Sequence, residues 1–159
     1  MLIEIKGKFF RATDPKYKND ALVGSVRAGR YSRENQSTLY LSSSMAGVVA
    51  AMGKYDVDIP SYVVHSFRVS APSIFDLRNH NSCMAADIDL RDALGDWQQT
   101  IRRGAEPASW RIADKLRQLG ANGLIDPSRK APKLWHLVLF CWNSPGCPQV
   151  VPLGTETSP

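Results

Sequence analysis

Hydrophobic and polar positions alternate from the start of the chain, so Ile3 to Ala12 reads as an opening strand. Asp14-Pro15 with Lys18-Asn19-Asp20 marks the loop that ends it. A long polar stretch from Gly24 to Ser37, holding Arg27, Arg30 and Arg33 around Gly29, predicts a cation-rich loop. Thr38-Leu39-Tyr40-Leu41 is a short strand. Ser42-Ser43-Ser44 then offers capping hydroxyls to the apolar run Met45 to Met52, a helix expected to be fully buried and to stop at Gly53. Tyr62 to Val69 is β-branched and aromatic, and Ile74-Phe75-Asp76-Leu77 continues the sheet after Pro72. A short helix is predicted near Asp87 to Leu94.

The clearest amphipathic helix begins at Ser109, where Ile112, Ala113, Leu116 and Leu119 share one face and Gly120 ends it. Gly123-Leu124-Ile125 follows as a brief strand, Asp126-Pro127-Ser128-Arg129 as a turn, and Leu134 to Cys141 as a buried strand. Prolines 145, 148, 152 and 159 predict a loose or edge-following tail. No internal repeat is present. The pattern predicts an α+β fold: one compact domain over residues 1–143 and a proline-rich tail over 144–159.

A length of 159 residues suits one domain and is enough to bury most of an α+β core without disulfide or metal support. A net charge of +5 favours an anionic partner without naming it. No apolar run approaches the roughly 20 residues of a bilayer span, and the start lacks the apolar core of a signal peptide. No membrane partner is expected, and the cytoplasm is the default location. Cys83, Cys141 and Cys147 form neither an even set nor a C-x-x-C pair, which argues against a disulfide framework. A metal site from Cys141, Cys147 and His136 has little specificity in its spacing, so no metal is expected.

The chemistry begins with arginines beside aromatic rings: Arg11 after the first strand, and Gly29-Arg30-Tyr31 before Tyr40. Guanidinium forks suit phosphate and aromatic faces suit a base or nicotinamide, although solvated arginines and a core tyrosine explain the same residues. Ser128, after the turn at Pro127, either contacts a phosphate or ribose oxygen or simply closes the turn. None of His65, His80 and His136 is tied to it by sequence, so a catalytic triad is not supported. Arg102, Arg103, Arg111, Lys115 and Arg117 make a stripe that would suit nucleic acid or, equally, a solvated helix face.

In order along the chain, Phe10-Arg11, Ala28-Gly29-Arg30-Tyr31, Leu39-Tyr40-Leu41, Gly120 through Ser128, and Leu137-Val138-Leu139-Phe140 resemble the RES-domain toxins of bacterial toxin–antitoxin modules. The resemblance implies a fold related to ADP-ribosyltransferase toxins, an NAD-binding domain, and NAD as substrate, cleaved between nicotinamide and ribose. It implies Arg30 and Tyr40 as catalytic residues, and Arg11, Tyr31 and Ser128 as NAD-binding residues. Arg11 and Arg30 would together clamp the diphosphate, with Tyr31 and Tyr40 on the nicotinamide side. The implied partner is a helix-turn-helix antitoxin of Xre type; a homodimer is left open by the sequence, and nucleic acid is not expected.

The sequence departs from that family at Tyr31, where the family prefers tryptophan, and in the helix after the Leu-Tyr-Leu strand. The family carries a glutamate on the helix after the Leu-Tyr-Leu strand, whereas Met45 to Met52 contains no acid and Ala51 or Met52 stands at that position. Glu34, Asp56 and Glu106 are the acids that would have to approach from elsewhere. A positioned carboxylate contributes roughly 10²- to 10⁴-fold to such chemistry. Without one, the alternatives are a quiet NAD-pocket scaffold or a basic ribonuclease-type toxin.

Overall fold

The structure, a computed structural model, describes residues 1–53, 62–127 and 133–156, with side chains through residue 50 in the first stretch. The strands are β1 (Leu2–Thr13), β2 (Leu39–Ser42), β3 (Val63–Asp76), β4 (Gly123–Pro127), β5 (Trp135–Leu139) and β6 (Gln149–Glu156). The helices are α1 (Met45–Gly53), α2 (His80–Ala85), α3 (Leu90–Leu94), α4 (Trp97–Arg102) and α5 (Ala108–Gln118), and Pro15–Asp20 forms a 3-10 helix.

The sheet order is β1-β2-β5-β4-β3-β6, and β1 also pairs with β3, so the first five strands close into a ring with β6 attached outside the closure. Only β3 and β4 run parallel; the other ladders are antiparallel. Alternation along each strand sorts side chains to the two sides of this ring. Phe9, Leu39, Leu41, Phe67, Ile74, Ile125, Leu137 and Leu139 fill the inside. Tyr31, Phe75, Leu124 and Val138 face outward, under Ala93 of α3 and Ile112, Ala113 and Leu116 of α5.

The predicted α+β class and the mixed sheet with flanking helices are what the chain forms. The helix read from Ser109 spans Ala108–Gln118, and its buried positions include Ile112, Ala113 and Leu116, while Leu119 lies beyond it and is half exposed. Pro107 caps that helix without a side-chain bond, which frees the Ser109 hydroxyl for another role. The expectation of a fully buried α1 does not hold, because Ala46 is exposed while Val48 is buried. Pro72 does not divide β3: it sits in the strand with its side chain exposed, and its carbonyl accepts from Asn122 Nδ2 at 3.1 Å.

Helices α2 and α4 were not legible because each has only six residues. Their starts are set by side chains: Asn79 accepts the Ser82 N–H, and Asp96 the Gln99 N–H. The proline-rich segment follows the edge of the sheet as β6, with Pro152 opposite Phe67 beside a register shift. A proline, having no N–H, is tolerated at such an edge. The disulfide expectation is corrected: the turn from Ser144 to Cys147 brings the Cα atoms of Cys141 and Cys147 to 5.6 Å, and the two are bonded. This also removes them as metal ligands, and among the described residues no cluster of His, Cys, Asp and Glu is set to hold a metal. Among those residues no helix is long and apolar enough to cross a membrane.

Candidate active site

Three neighbouring strands aim polar side chains at one patch of the outer side. In β2, Leu39 and Leu41 point inside, so Tyr40 and Ser42 point out. Their partners across the ladder are Val138 and His136 of β5. In β4, Ile125 points inside, so Asp126 points out, opposite His136. Ser42 Oγ lies 3.1 Å from His136 Nδ1.

The loop before β2 closes over this patch. A short bridge between Gly29 and Ser32 turns the chain back on itself. The Tyr31 N–H donates to the Tyr40 hydroxyl at 3.1 Å, and Ser32 Oγ is 2.7 Å from the same oxygen. The Tyr31 hydroxyl donates to the Asp126 carboxylate. Gly29 permits this approach, since a Cβ there would stand 2.6 Å from the Tyr40 hydroxyl oxygen.

The loop is fastened to the helices as well. Trp110 Nε1 donates to the Gly29 carbonyl at 2.8 Å, and the Ser109 hydroxyl donates to that of Arg30. Arg33 grips Asp114 with two bonds of 2.9 Å and lies over the Trp110 ring. The Arg30 guanidinium donates to the carbonyls of Ala93 at 2.8 Å and Gly95 at 2.6 Å.

Burial pushes the Tyr40 phenol above its ordinary pKa, against the opposing hydrogen bonds from Ser32 and the Tyr31 N–H. Its hydroxyl therefore stays protonated near neutral pH. Two further charges act on that hydroxyl in opposite directions, Arg117 and Asp126. Burial lowers the pKa of Arg117, which lies over the Phe140 ring at 4.2 Å. Among the described residues Arg117 Nη1 is buried without a hydrogen-bond partner, and Asp114 Oδ1 is 3.6 Å away.

Of the residues singled out from sequence, the structure brings Arg30, Tyr31 and Tyr40 together and separates Arg11. Arg11 stands opposite His65 in the β1–β3 ladder, on the same side as Phe9, and donates to the carbonyls of Ala21 and Val23. Arg30 reaches Ala93, in the other core. The expected clamp of two guanidinium groups is not formed, because strand alternation turns Arg11 to the inside of the ring. Tyr31 is 1% exposed and Tyr40 is half-buried, so of the two it is Tyr40 that has surface open to a ligand. Ser128 and Asp56 lie outside the described residues, as do the side chains of Ala51 and Met52. Glu34 is exposed, and Glu106 sits 3.6 Å from Arg33, so neither supplies a buried acid.

Sequence reasoning misses Asp126 and the Ser42–His136 pair as site residues, and reads Arg117 only as part of a basic helix stripe. It takes Asp126 as the start of a turn. Its signal was present as a lone acid in a short apolar strand, where a charge has to be answered by a partner.

A closed mixed sheet with α2, α3 and α5 packed on its outer side, and a polar cluster held beneath a docked loop, defines an α+β protein with a loop-covered polar cluster. The RES domain family model matches residues 8–158, and the chain belongs to that family. Among solved structures the fold is similar to a chain of the M. tuberculosis MbcT-MbcA toxin-antitoxin complex, with a TM-score of 0.66 and 17% identity, covering 98% of this chain and 85% of that one. No curated protein sequence matches the chain.

Proposed function

We propose that this RES domain is a toxin-type enzyme that consumes NAD in the cytoplasm, breaking the bond between nicotinamide and ribose. ADP-ribose then passes to water, phosphate or a protein side chain. The observation that carries the reading is the network of Tyr40, Tyr31 and Asp126 in a chain that matches the RES family over residues 8–158. The similar solved chain belongs to a toxin-antitoxin complex, which supports a protein antitoxin as partner. A helix-turn-helix protein of Xre type is the form we propose for it.

The reaction sends the C1′–N electron pair out with neutral nicotinamide and leaves a transition state with cationic character at C1′. Tyr40 offers its ring to the nicotinamide, with the hydroxyl fixed from behind by the Tyr31 N–H and Ser32. Arg117, whose Nη1 lacks a hydrogen-bond partner among the described residues, is a cation for the diphosphate. Arg30 serves by holding the loop to the α3–α4 junction. The nucleic-acid reading is weakened because Lys115 of the helix stripe is turned to the Asp87 carbonyl.

The test is to incubate the purified chain with NAD and separate nicotinamide by chromatography. Wild type releases it, and Tyr40→Ala releases at least roughly 10²-fold less. NAD binding without release would overturn the enzyme reading in favour of a quiet scaffold.

A further inference from the structure

Asp126 is the one buried carboxylate among the described residues, at 5% exposure. Burying an ionised carboxylate is costly unless something answers it, so its position in a core strand calls for a reason. The Tyr31 hydroxyl donates to it, and its charge also reaches the Tyr40 hydroxyl. The carboxylate thus lies behind both tyrosines, in a setting where water screens it little.

We infer that Asp126 supplies the negative charge that stabilises the cation developing at C1′ of NAD, acting across the Tyr31 hydroxyl as a positioning residue. The inference rests on the proposed function. The balance is that of the hydrolysis: the C1′–N bond breaks, nicotinamide leaves with the electron pair, and water forms the new C1′–O bond. The proton of that water passes to solvent. Asp126 forms no bond to carbon; it lowers the barrier by charge alone. The requirement is met from β4, after the strand pair, and does not need an acid on α1.

A tether for Tyr31 and a source of charge make different predictions. In Asp126→Asn the amide oxygen still accepts from the Tyr31 hydroxyl, while the charge is gone. Nicotinamide release is measured for this variant and for wild type, with kcat and KM separated and melting temperature recorded. The expected result is a roughly 10²- to 10⁴-fold fall in kcat with KM within about threefold and melting nearly unchanged. A kcat within about twofold of wild type overturns the role of Asp126 and leaves the proposed function standing. No release by wild type removes both. If Asp126→Asn does not fold, Asp126→Glu and Asp126→Gln provide a pair of equal size that differs in charge. Higher turnover in the Glu member supports the inference, and equal turnover overturns it.

Discussion

The backbone N–H of Tyr31 donates to the side-chain hydroxyl of Tyr40 at 3.1 Å, so a ring on β2 holds the loop that covers it. Tyr40→Phe removes the acceptor and leaves that N–H without a partner, at a cost of about 1 to 2 kcal/mol in stability. Tyr40→Ala also removes a ring packed against the outer core, at about 3 to 4 kcal/mol. Nicotinamide release is expected to survive largely in the Phe variant and to be lost in the Ala variant. Equal losses in folded samples of both would show that the ring is not the functional part.

Arg33 joins the cation-rich loop to α5 through paired bonds to Asp114 of 2.9 Å each. Because the pair is partly open to water, Arg33→Ala is expected to cost about 1 kcal/mol, or roughly 3 °C in melting temperature. Arg33→Lys should recover less than half of that, since one ammonium cannot reproduce the two-pronged grip. Calorimetry of the three proteins checks the order; a lysine variant as stable as wild type would contradict it.

His65 is buried, with Thr13 Oγ1 at 2.9 Å from its Nε2. Burial first, and then the charge of Arg11, hold its pKa below the ordinary 6.5. The unfolded chain therefore takes up a proton on acidification before the folded chain does. Stability should fall as pH drops through about 6.5, and this fall should end once folded His65 is also protonated. Melting temperatures at pH 7.5 and pH 5.5 are expected to differ more for wild type than for His65→Gln. Equal differences would assign the acid sensitivity to other groups.

The Cys141–Cys147 bond closes a small loop between β5 and β6. Chain-entropy arguments give such a loop about 2 kcal/mol. A reductant should therefore lower the melting temperature of the oxidised chain and leave a Cys141→Ser, Cys147→Ser double variant unchanged. A matching response in both would remove the bond from the stability of the fold.

The fold was legible in the sequence wherever one periodicity ran long enough to dominate. The alternation over Ile3 to Ala12 and the spacing of Ile112, Ala113 and Leu116 both led to the observed elements. The six-residue helices α2 and α4 were not, because each depends on one capping side chain and on the core it docks against. In the candidate site, Tyr31 and Tyr40 carry a motif, and the structure brings the two into contact. Arg11 carried one too, yet the direction of its side chain depends on strand register, which a list of residues does not contain. Asp126 and His136 meet only because β4 and β5 pair, and Cys141 meets Cys147 only because a turn reverses the chain.

Strand β3 has a bonded neighbour on both flanks for nearly all of its length. β1 runs along one side, with β6 against Val64–Ser70 and β4 against Ile74–Asp76 on the other. Its amide protons should thus be the last in the chain to exchange with heavy water, released only when the whole domain opens. The exposed stretch at Val26 and Arg27 should exchange far earlier, so opening there costs the central strand nothing.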